Sequence, residues 1–320
     1  MKKTVNAIVV TYNRKYDLVR CIRAILKQSI SLTNLLIIDN ASTDDTFKYL
    51  VEQRLSDDVL LEENKLLKVK TINSCDIWIY RNNRNTGGSG GFHIGLKLAH
   101  KKLKADLYWL MDDDGYPSPT CLEELAAYSD EYDYIMPTSI DIENHYRLSW
   151  AVRKKDGKKT IRYNELKNSW GEIMDYVTPF NGILISNKCV NEVGYINKNF
   201  FIWGDEYDHY WRCVEKGYKP VTLMSAKFYH PSQKLPLVPI IGGLFHVPYV
   251  DSKLRMICLA RNYTYVYRHY RQWYKIPIKF LLYTWLFLIT RRGDMEGWKL
   301  YCASVKDGFK EDFSRHWKYL

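Results

Sequence analysis

The sequence lacks any apolar run long enough to cross a bilayer, although 46% of its 320 residues are hydrophobic. The most apolar stretch near the C-terminus, residues 280–289, has ten residues, about half of the roughly 20 that a membrane-spanning helix needs. The opening stretch 5–10 is too short for a signal peptide and is better explained as a first β-strand. We therefore expect a cytoplasmic protein that can lie on a membrane without crossing it.

Paired cysteines and the common nucleotide-binding fingerprints are also missing. The seven cysteines are odd in number, scattered, and never arranged as C-x-x-C, so we expect reduced thiols in the core. The glycine-rich stretch 87–91 has His93 where a Rossmann fingerprint needs a glycine, and it lacks the lysine of a P-loop. By itself this stretch predicts either a flexible turn or an anion cradle made of backbone N–H groups.

Acidic residues are scarce in the last quarter of the chain. The net charge is +11, and residues 251–320 carry 14 Lys and Arg against 6 Asp and Glu. Because Tyr, Trp and Leu alternate with these charges, the pattern favours an anionic membrane surface over nucleic acid. In a helix, Arg261, Arg268 and Lys275 would share one face. The same apolar residues could instead pack on the rest of the protein or join copies of the chain in a homo-oligomer.

Apolar runs alternate with helical patterns over the first half of the sequence. The runs that predict strands are 5–10, 35–38, 76–80 and 105–111, and those that predict helices are 18–25 and 91–101. Such short strand–helix–strand intervals predict a parallel sheet. We expect an α/β catalytic domain over residues 1–230. A Pro- and Gly-rich linker would begin at 231, and a mainly helical segment would continue to 320.

Two acidic clusters are the candidates for chemistry. Asp112 and Asp114 follow a strand and could share a divalent ion, although a solvated acidic turn is the alternative. Asp205 and Glu206 follow aromatic residues, and a partly desolvated carboxylate suits a general base. A helix N-terminus explains this second cluster equally well. Taken alone, His230 is more often structural than a metal ligand.

Five motifs follow one another along the chain: Val9-Val10-Thr11-Tyr12-Asn13, Ile38-Asp39-Asn40-Ala41-Ser42-Thr43-Asp44, Asn85-Thr86-Gly87-Gly88-Ser89-Gly90-Gly91-Phe92, Asp112-Asp113-Asp114, and Phe201-Ile202-Trp203-Gly204-Asp205-Glu206. In this order and spacing they resemble family 2 glycosyltransferases of the GT-A fold. The closest resemblance is to bacterial galactofuranosyl- and rhamnosyltransferase-like enzymes, and it covers about residues 5–230. The fold implied is a Rossmann-like, mostly parallel central sheet flanked by helices.

The resemblance assigns roles to residues in groups. It implies nucleoside contacts by Thr11, Asn13 and Asp39. It implies that the diphosphate and donor sugar lie against Asn85, Gly87 and Gly88, beside Asp112 and Asp113. It implies a Mn²⁺ or Mg²⁺ site of Asp112, Asp114 and His230. On the acceptor side it implies contacts by Asn181, in the segment 179–183, and by Trp203, which could also be a core aromatic.

The implied reaction is a direct inverting displacement with Glu206 as base. The family usually has Asp at this position, so Asp205 remains the alternative base. The donor implied is UDP-galactofuranose, with dTDP-rhamnose as the runner-up. The acceptor would be a lipid-linked or polysaccharide glycan of the bacterial surface, presented at the inner face of the membrane. The rival functions are a nucleotidyltransferase and a non-catalytic, membrane-docked subunit that binds glycan or nucleotide.

Overall fold

Strands rich in Val, Ile and Leu form the buried centre of the protein. The computed structural model describes residues 3–177, 181–232 and 236–320. By its contacts the chain divides into a first unit, Met1–Lys198 with Arg212–Gln233, and a second unit, Asn199–Trp211 with Lys234–Leu320. The expected boundary at residue 230 lies close to the division between Gln233 and Lys234. Residues 199–211, however, belong to the second unit by their contacts.

The first unit is built on a large sheet. Its strands are β1 Val5–Thr11, β2 Asn34–Asp39, β3 Leu66–Ile72, β4 Cys75–Arg81, β5 Leu107–Asp112, β6 Tyr116–Pro117, β7 Tyr134–Asp141, β8 Arg147–Arg153, β9 Lys159–Arg162, β10 Ile173–Met174, β11 Ile183–Ser186 and β12 Val221–His230. Its helices are α1 Lys15–Leu26, α2 Thr46–Glu52, α3 Gly87–Leu98, α4 Cys121–Ala127, α5 Tyr163–Trp170 and α6 Asn187–Val193. A π-helical turn, Ala99–Leu103, extends α3.

The order of the strands brings several carboxyl ends together. The main path of the sheet is β10-β12-β7-β11-β5-β1-β2-β4-β3. The central pairs β5–β1, β1–β2 and β2–β4 are parallel, as the sequence pattern predicts. Strand β11 is antiparallel to both of its neighbours, β5 and β7. Loops that follow parallel strands meet at one edge of a sheet, which is where open α/β sheets bind ligands.

Two elements differ from the sequence-based expectation. Strand β3 pairs antiparallel with β4 at the edge of the sheet, but its mixed sequence, LLKVKTI, gives no clear period. Helix α3 begins at Gly87, so the expectation of a helix starting at residue 91 behind a glycine-rich turn is wrong. Strands β8 and β9 form a hairpin around residues 153–159.

The second unit is mainly helical, as expected. It contains a hairpin of β13 Leu237–Ile240 and β14 Phe245–Pro248, followed by α8 Lys253–His269, α9 Lys275–Trp285 and α10 Met295–Lys310. The hairpin occupies much of the stretch predicted to be an irregular linker. Helix α7, Asp205–Glu215, begins among residues of the second unit and ends among those of the first. No helix in the described ranges is both long and apolar enough to span a membrane.

One prediction about α8 is wrong. The sequence placed Arg261 on an exposed cationic face, but this side chain is fully buried. Its guanidinium donates to the carbonyl of Phe200 and contacts Nδ1 of His316 at 2.8 Å. At Gly308, a Cβ atom would lie 2.6 Å from the carbonyl oxygen of Arg261. Helices α8 and α10 therefore pack too closely for this part of α8 to face a membrane.

Candidate active site

Pairing of short strands places His230 beside the acidic triplet of residues 112–114. The triplet begins at the last residue of β5, and β6 follows it directly. Tyr116 of β6 pairs with Tyr229 of β12, so the next residue of β12, His230, lies next to the triplet. A Cβ atom on Gly115 would lie 2.3 Å from the Phe228 ring. Only glycine therefore fits at position 115, and the turn there packs closely against β12.

Asp113 of the triplet is buried and Asp112 and Asp114 are partly buried. Arg14 and Thr11 hold two of the three carboxylates. Nη1 of Arg14 lies 3.2 Å from Oδ1 of Asp113 and 2.7 Å from Oδ2 of Asp114. Thr11, expected at the nucleoside, donates its hydroxyl to Asp113 at 2.6 Å. Burial raises the pKa of Asp112 to about 8, and the neighbouring carboxylates reinforce the rise. Burial also raises the pKa of Asp113 to about 6, against the opposing effects of Thr11 and Arg14.

His230 has a defined hydrogen-bonding arrangement. Its Nδ1 lies 2.7 Å from the carbonyl oxygen of Pro231, so Nδ1 carries the proton and the neutral ring keeps a lone pair on Nε2. Nε2 lies 3.2 Å from Oδ1 of Asp114. Burial alone would lower the pKa of His230, but the contact with Asp114 and the charge of Asp112 outweigh burial and raise it.

This donor set fits a divalent cation. Within the described ranges, no three His, Cys, Asp or Glu side chains are already arranged around a common metal position. Asp114 and His230 supply two adjacent donor atoms, since the buried Oδ1 of Asp114 lies 3.2 Å from Nε2 of His230. Asp112 adds a carboxyl whose pKa is raised by burial and by the neighbouring carboxylates.

The glycine-rich segment is organised by a side chain that the sequence analysis did not select. The side-chain oxygen Oδ1 of Asn40 accepts hydrogen bonds from the side chain of Asn82, and from both the backbone N–H and the hydroxyl of Thr86. Its amide donates to Oδ1 of Asn85 and to the carbonyl of Gly87. Asn40 thereby fixes the end of β2 to the start of α3. Its position directly after a strand, beside Asp39, was the available signal.

The glycines of this segment serve different purposes. A Cβ atom would lie 2.4 Å from the Thr86 hydroxyl at Gly90, and 2.5 Å from the Val10 side chain at Gly91. These two positions therefore need glycine for close packing of α3. Over Gly88 the space is open, with no atom within 4 Å of a Cβ among the described residues. Gly88, in the N-terminal turn of α3, leaves room for a ligand beside the backbone.

The residues expected at the nucleoside lie at the end of β2 and in the loop after β1. Oδ1 of Asp39 accepts from the backbone N–H of Ser42 at 2.8 Å. Its Oδ2 lies 3.9 Å from Nε of Arg81 and, among the residues described here, is a buried oxygen without a hydrogen-bond partner. Asn13 is exposed, and its side-chain oxygen Oδ1 accepts from the backbone N–H of Thr43. Asp39 thus retains a free acceptor, which a nucleobase N–H or a ribose hydroxyl can fill.

Asn181 lies next to the acidic triplet in the sheet register. Strand β11 starts two residues later, and its Ile183 pairs with Leu110 of β5, so Asn181 is level with Asp112. Its Oδ1 is buried and lacks a hydrogen-bond partner within the described part of the chain. Pro179 and Phe180, named in the same expected acceptor segment, fall outside the described residues.

The second acidic cluster follows a tight turn that α8 holds in place. Phe201, Trp203 and Gly204 all have left-handed backbone conformations, with φ of 70°, 60° and 93°. The amide of Asn262 donates to the carbonyls of Phe200, Ile202 and Trp203 at 3.0, 2.8 and 2.7 Å. Left-handed conformations are costly for residues other than glycine, so this one amide stabilises a strained turn.

The turn delivers two carboxylates at the start of α7. Asp205 is its first residue and is buried. Glu206 is partly buried, and its Oε2 accepts from the backbone N–H of Gly204 at 3.0 Å. Burial raises the pKa of Glu206, although the contacts with Asp205 and Gly204 partly offset the effect. Trp203 is partly buried against the core of the second unit, which supports its alternative role as a core aromatic.

The comparisons with known proteins identify the family. The family model described as "Glycosyl transferase family 2" matches residues 7–186, more than half of the chain. The chain belongs to glycosyl transferase family 2. The match spans β1 to β11 and therefore includes the acidic triplet and the glycine-rich segment.

Curated relatives match nearly the whole chain. Galactofuranosyltransferase GlfT1 of Mycolicibacterium smegmatis is 26% identical over 320 residues, which cover 98% of this chain and 99% of the relative. Galactofuranosyltransferase GlfT1 of Mycobacterium tuberculosis is 26% identical over 304 residues, which cover 93% of each. The similarity therefore extends through the second unit, beyond the residues that the family model matches.

Solved structures show the same fold. The crystal structure of S. aureus TarS 1–349 aligns with a TM-score of 0.57 at 14% identity, over 97% of this chain and 82% of that one. The crystal structure of GalNAc-T7 with UDP, GalNAc and Mn²⁺ also gives a TM-score of 0.57, at 15% identity. That alignment covers 83% of this chain and about half, 48%, of the other. The expected GT-A fold, with a mostly parallel sheet flanked by helices, is confirmed.

Proposed function

We propose that this family 2 glycosyltransferase is an inverting galactofuranosyltransferase that uses UDP-galactofuranose. The observation that carries the proposal is the near full-length similarity to two galactofuranosyltransferases, at 98% and 93% coverage of this chain. The structure supports a nucleotide-sugar donor independently. It holds a free buried oxygen of Asp39, an open backbone at Gly88 and a carboxylate triplet at one edge of the sheet.

Each part of the donor has candidate partners in the first unit. The nucleoside would lie against Asp39 and Asn13, because Asp39 ends β2 and Asn13 follows the neighbouring parallel strand β1. The diphosphate would lie against Gly87 and Gly88 at the N-terminal turn of α3, where the helix dipole favours anions and the backbone at Gly88 is open. Asn85 would shape this region indirectly, since its Oδ1 already accepts from Gly87 and Asn40.

Asp112, Asp114 and His230 would hold Mn²⁺ or Mg²⁺. A bound divalent ion neutralises charge on a departing diphosphate. Arg14 contacts the same triplet, so this chain also supplies a fixed positive charge there. Asp113 is held by Thr11 and Arg14 and would orient the loop.

Glu206 would act as the general base in the second unit. Its carboxylate would take the proton of an acceptor hydroxyl as that oxygen bonds to the anomeric carbon. The bond from that carbon to the diphosphate oxygen breaks in the same step, and UDP leaves with the electron pair. The raised pKa of Glu206 suits a base. Asp205, its buried neighbour, is the alternative, and Asn181 would contact the acceptor through its unpartnered Oδ1.

The acceptor is proposed to be a lipid-linked or polysaccharide glycan at the inner face of the cell membrane, where the protein would bind peripherally. The whole proposal is tested in three separate incubations of purified protein with Mn²⁺. The donor is UDP-galactofuranose in one, UDP-galactopyranose in the second and dTDP-rhamnose in the third. Release of UDP from the furanose donor alone is the expected result. Release of dTDP from the rhamnose donor would assign the enzyme to rhamnose instead. Binding of nucleotide without turnover of any donor in the presence of membrane glycolipid extract would favour a non-catalytic subunit.

A further inference from the structure

Helix α9 and the π-helical turn that continues it, Leu286–Thr290, present an apolar stripe to solvent. Ile278, Leu281, Trp285 and Ile289 recur at intervals of three and four residues, which places them on one face of a helix. Their exposed fractions are 53%, 69%, 40% and 59%. The other face packs into the core of the second unit through side chains such as Tyr283. We call the four exposed residues the α9 stripe.

Positive charge and aromatic rings flank the α9 stripe. No Asp or Glu occurs in the sequence from Ser252 to Gly293. Arg271 precedes α9 and Arg292 follows it, and both side chains are exposed. Trp273 lies at the first of these ends and is 68% exposed. Apolar residues along a helix with aromatic and basic residues at its ends are typical of helices that lie in a membrane interface.

We propose that the α9 stripe docks on an anionic lipid surface with α9 lying parallel to the membrane plane. From residue 278 to 289 the stripe is about 16 Å long, at 1.5 Å per residue, which suits lying in an interface. Charge decides between lipid and a second copy of the chain. Two copies joined through this face would bring their basic ends together, whereas anionic headgroups complement those ends.

This inference deepens the membrane part of the proposed function and, for the acceptor, rests on it. It also replaces the cationic face of Arg261, Arg268 and Lys275 that the sequence predicted. There Arg261 is buried, and Arg268 donates to the carbonyl of Phe309. The docking residues lie in the second unit, whereas the proposed donor contacts lie in the first. Membrane binding and nucleotide binding can therefore be measured as separate properties of the same full-length protein.

The test is flotation of the full-length protein with vesicles of phosphatidylcholine and phosphatidylglycerol. Leu281→Glu places a charge in the middle of the stripe at a solvent-exposed position, so the fold is retained. We expect apparent vesicle affinity to fall about tenfold or more, because an apolar contact is replaced by a charge at the interface. Leu60→Glu is the matched control, since Leu60 is 86% exposed in the first unit, and it should bind vesicles like the parent protein.

A charge variant separates the two contributions. Arg271→Gln with Arg292→Gln should weaken binding several-fold at low salt and little at high salt, where exposed charges are screened. UDP binding with Mn²⁺ should be unchanged in all variants. Equal flotation of the parent and Leu281→Glu proteins would overturn the docking site. So would sedimentation that shows Leu281→Glu converting a dimer to a monomer. Vesicle binding without UDP binding would leave docking supported and count against the proposed function.

Discussion

At the scale of single residues, Glu206 and Asp205 are adjacent carboxylates in different surroundings. Asp205 is the more buried of the two, whereas Glu206 is partly exposed and held through Oε2 by the backbone of Gly204. A general base must reach the acceptor hydroxyl, and a partly exposed carboxylate with a raised pKa meets this need better. The difference in exposure, which the sequence could not show, therefore favours Glu206.

We predict that Glu206→Gln lowers kcat by about two to four orders of magnitude, the usual contribution of acid–base catalysis. The variant should still bind UDP, because glutamine keeps the oxygen that accepts from Gly204. Steady-state transfer assays with isothermal titration of UDP measure both properties. The matched variant Asp205→Asn should lose far less activity. The opposite ranking would make Asp205 the base.

The raised pKa of Glu206 also fixes the direction of two pH effects. The base works when deprotonated, so kcat/KM should fall as pH drops through a pKa above the usual value of about 4.3. A carboxyl with a raised pKa in the folded state stabilises the fold below its unfolded-state pKa and loses that contribution as pH rises. Glu206→Gln should therefore be at least as heat-stable as the parent protein at neutral pH. A large drop in its Tm there would contradict the assignment of a desolvated carboxylate.

The metal proposal has its own test at Asp114. Replacing Asp114 with Asn keeps the shape but removes the charge that lies next to His230 and Arg14. Thermal-shift measurements should then lose most of the extra stabilisation that UDP with Mn²⁺ gives over UDP with chelator. Asp58→Asn, at an exposed position away from the triplet, serves as control. Unchanged metal-dependent stabilisation in Asp114→Asn would remove Asp114 from the metal site.

At the scale of elements, local sequence could predict the strands of the first unit and the polar residues at their ends. Buried runs such as β1 and β5 are mostly apolar, and turn residues follow them. Asn262 could not be found this way. It lies within a helix more than fifty residues after the turn that it holds, and nothing in its local sequence marks three carbonyl groups as its partners. Arg14 was missed for the same reason, because its partners Asp113 and Asp114 are distant in sequence.

We predict that Asn262→Ala lowers kcat more than it raises the KM for the donor. Without its amide, the left-handed turn at residues 201–204 loses three hydrogen bonds and Glu206 loses its fixed position. Loss of buried hydrogen bonds should also cost about 1–3 kcal/mol of stability. Urea unfolding and steady-state kinetics measure the two effects, with the exposed Asn191→Ala as control. A stable Asn262→Ala protein with unaltered kcat would show that the turn keeps its conformation without the Asn262 amide.

At the scale of the whole molecule, the two units are not consecutive in sequence. Residues 199–211 belong by contacts to the unit that otherwise begins at Lys234. Within that unit Phe200 is fully buried against Val266 and Tyr270, and Phe201 packs on His316 and Trp317. A sequence-based boundary at residue 230 places these aromatic residues and their partners in different domains, because local pattern carries no information on long-range packing.

We predict that a chain ending at Ser232 will not fold as an independent catalytic domain. Phe200 and Phe201 would lose the packing partners that bury them, and burial of a phenylalanine contributes about 1.5–3 kcal/mol. The turn before Asp205 and Glu206 would also lose Asn262 and Arg261. The truncated chain should therefore bind a hydrophobic dye, melt without a sharp transition and show no transfer. Full-length protein prepared in parallel is the control. Cooperative melting together with transfer activity in the truncated chain would support the boundary at residue 230 and show that the C-terminal helices are dispensable for catalysis.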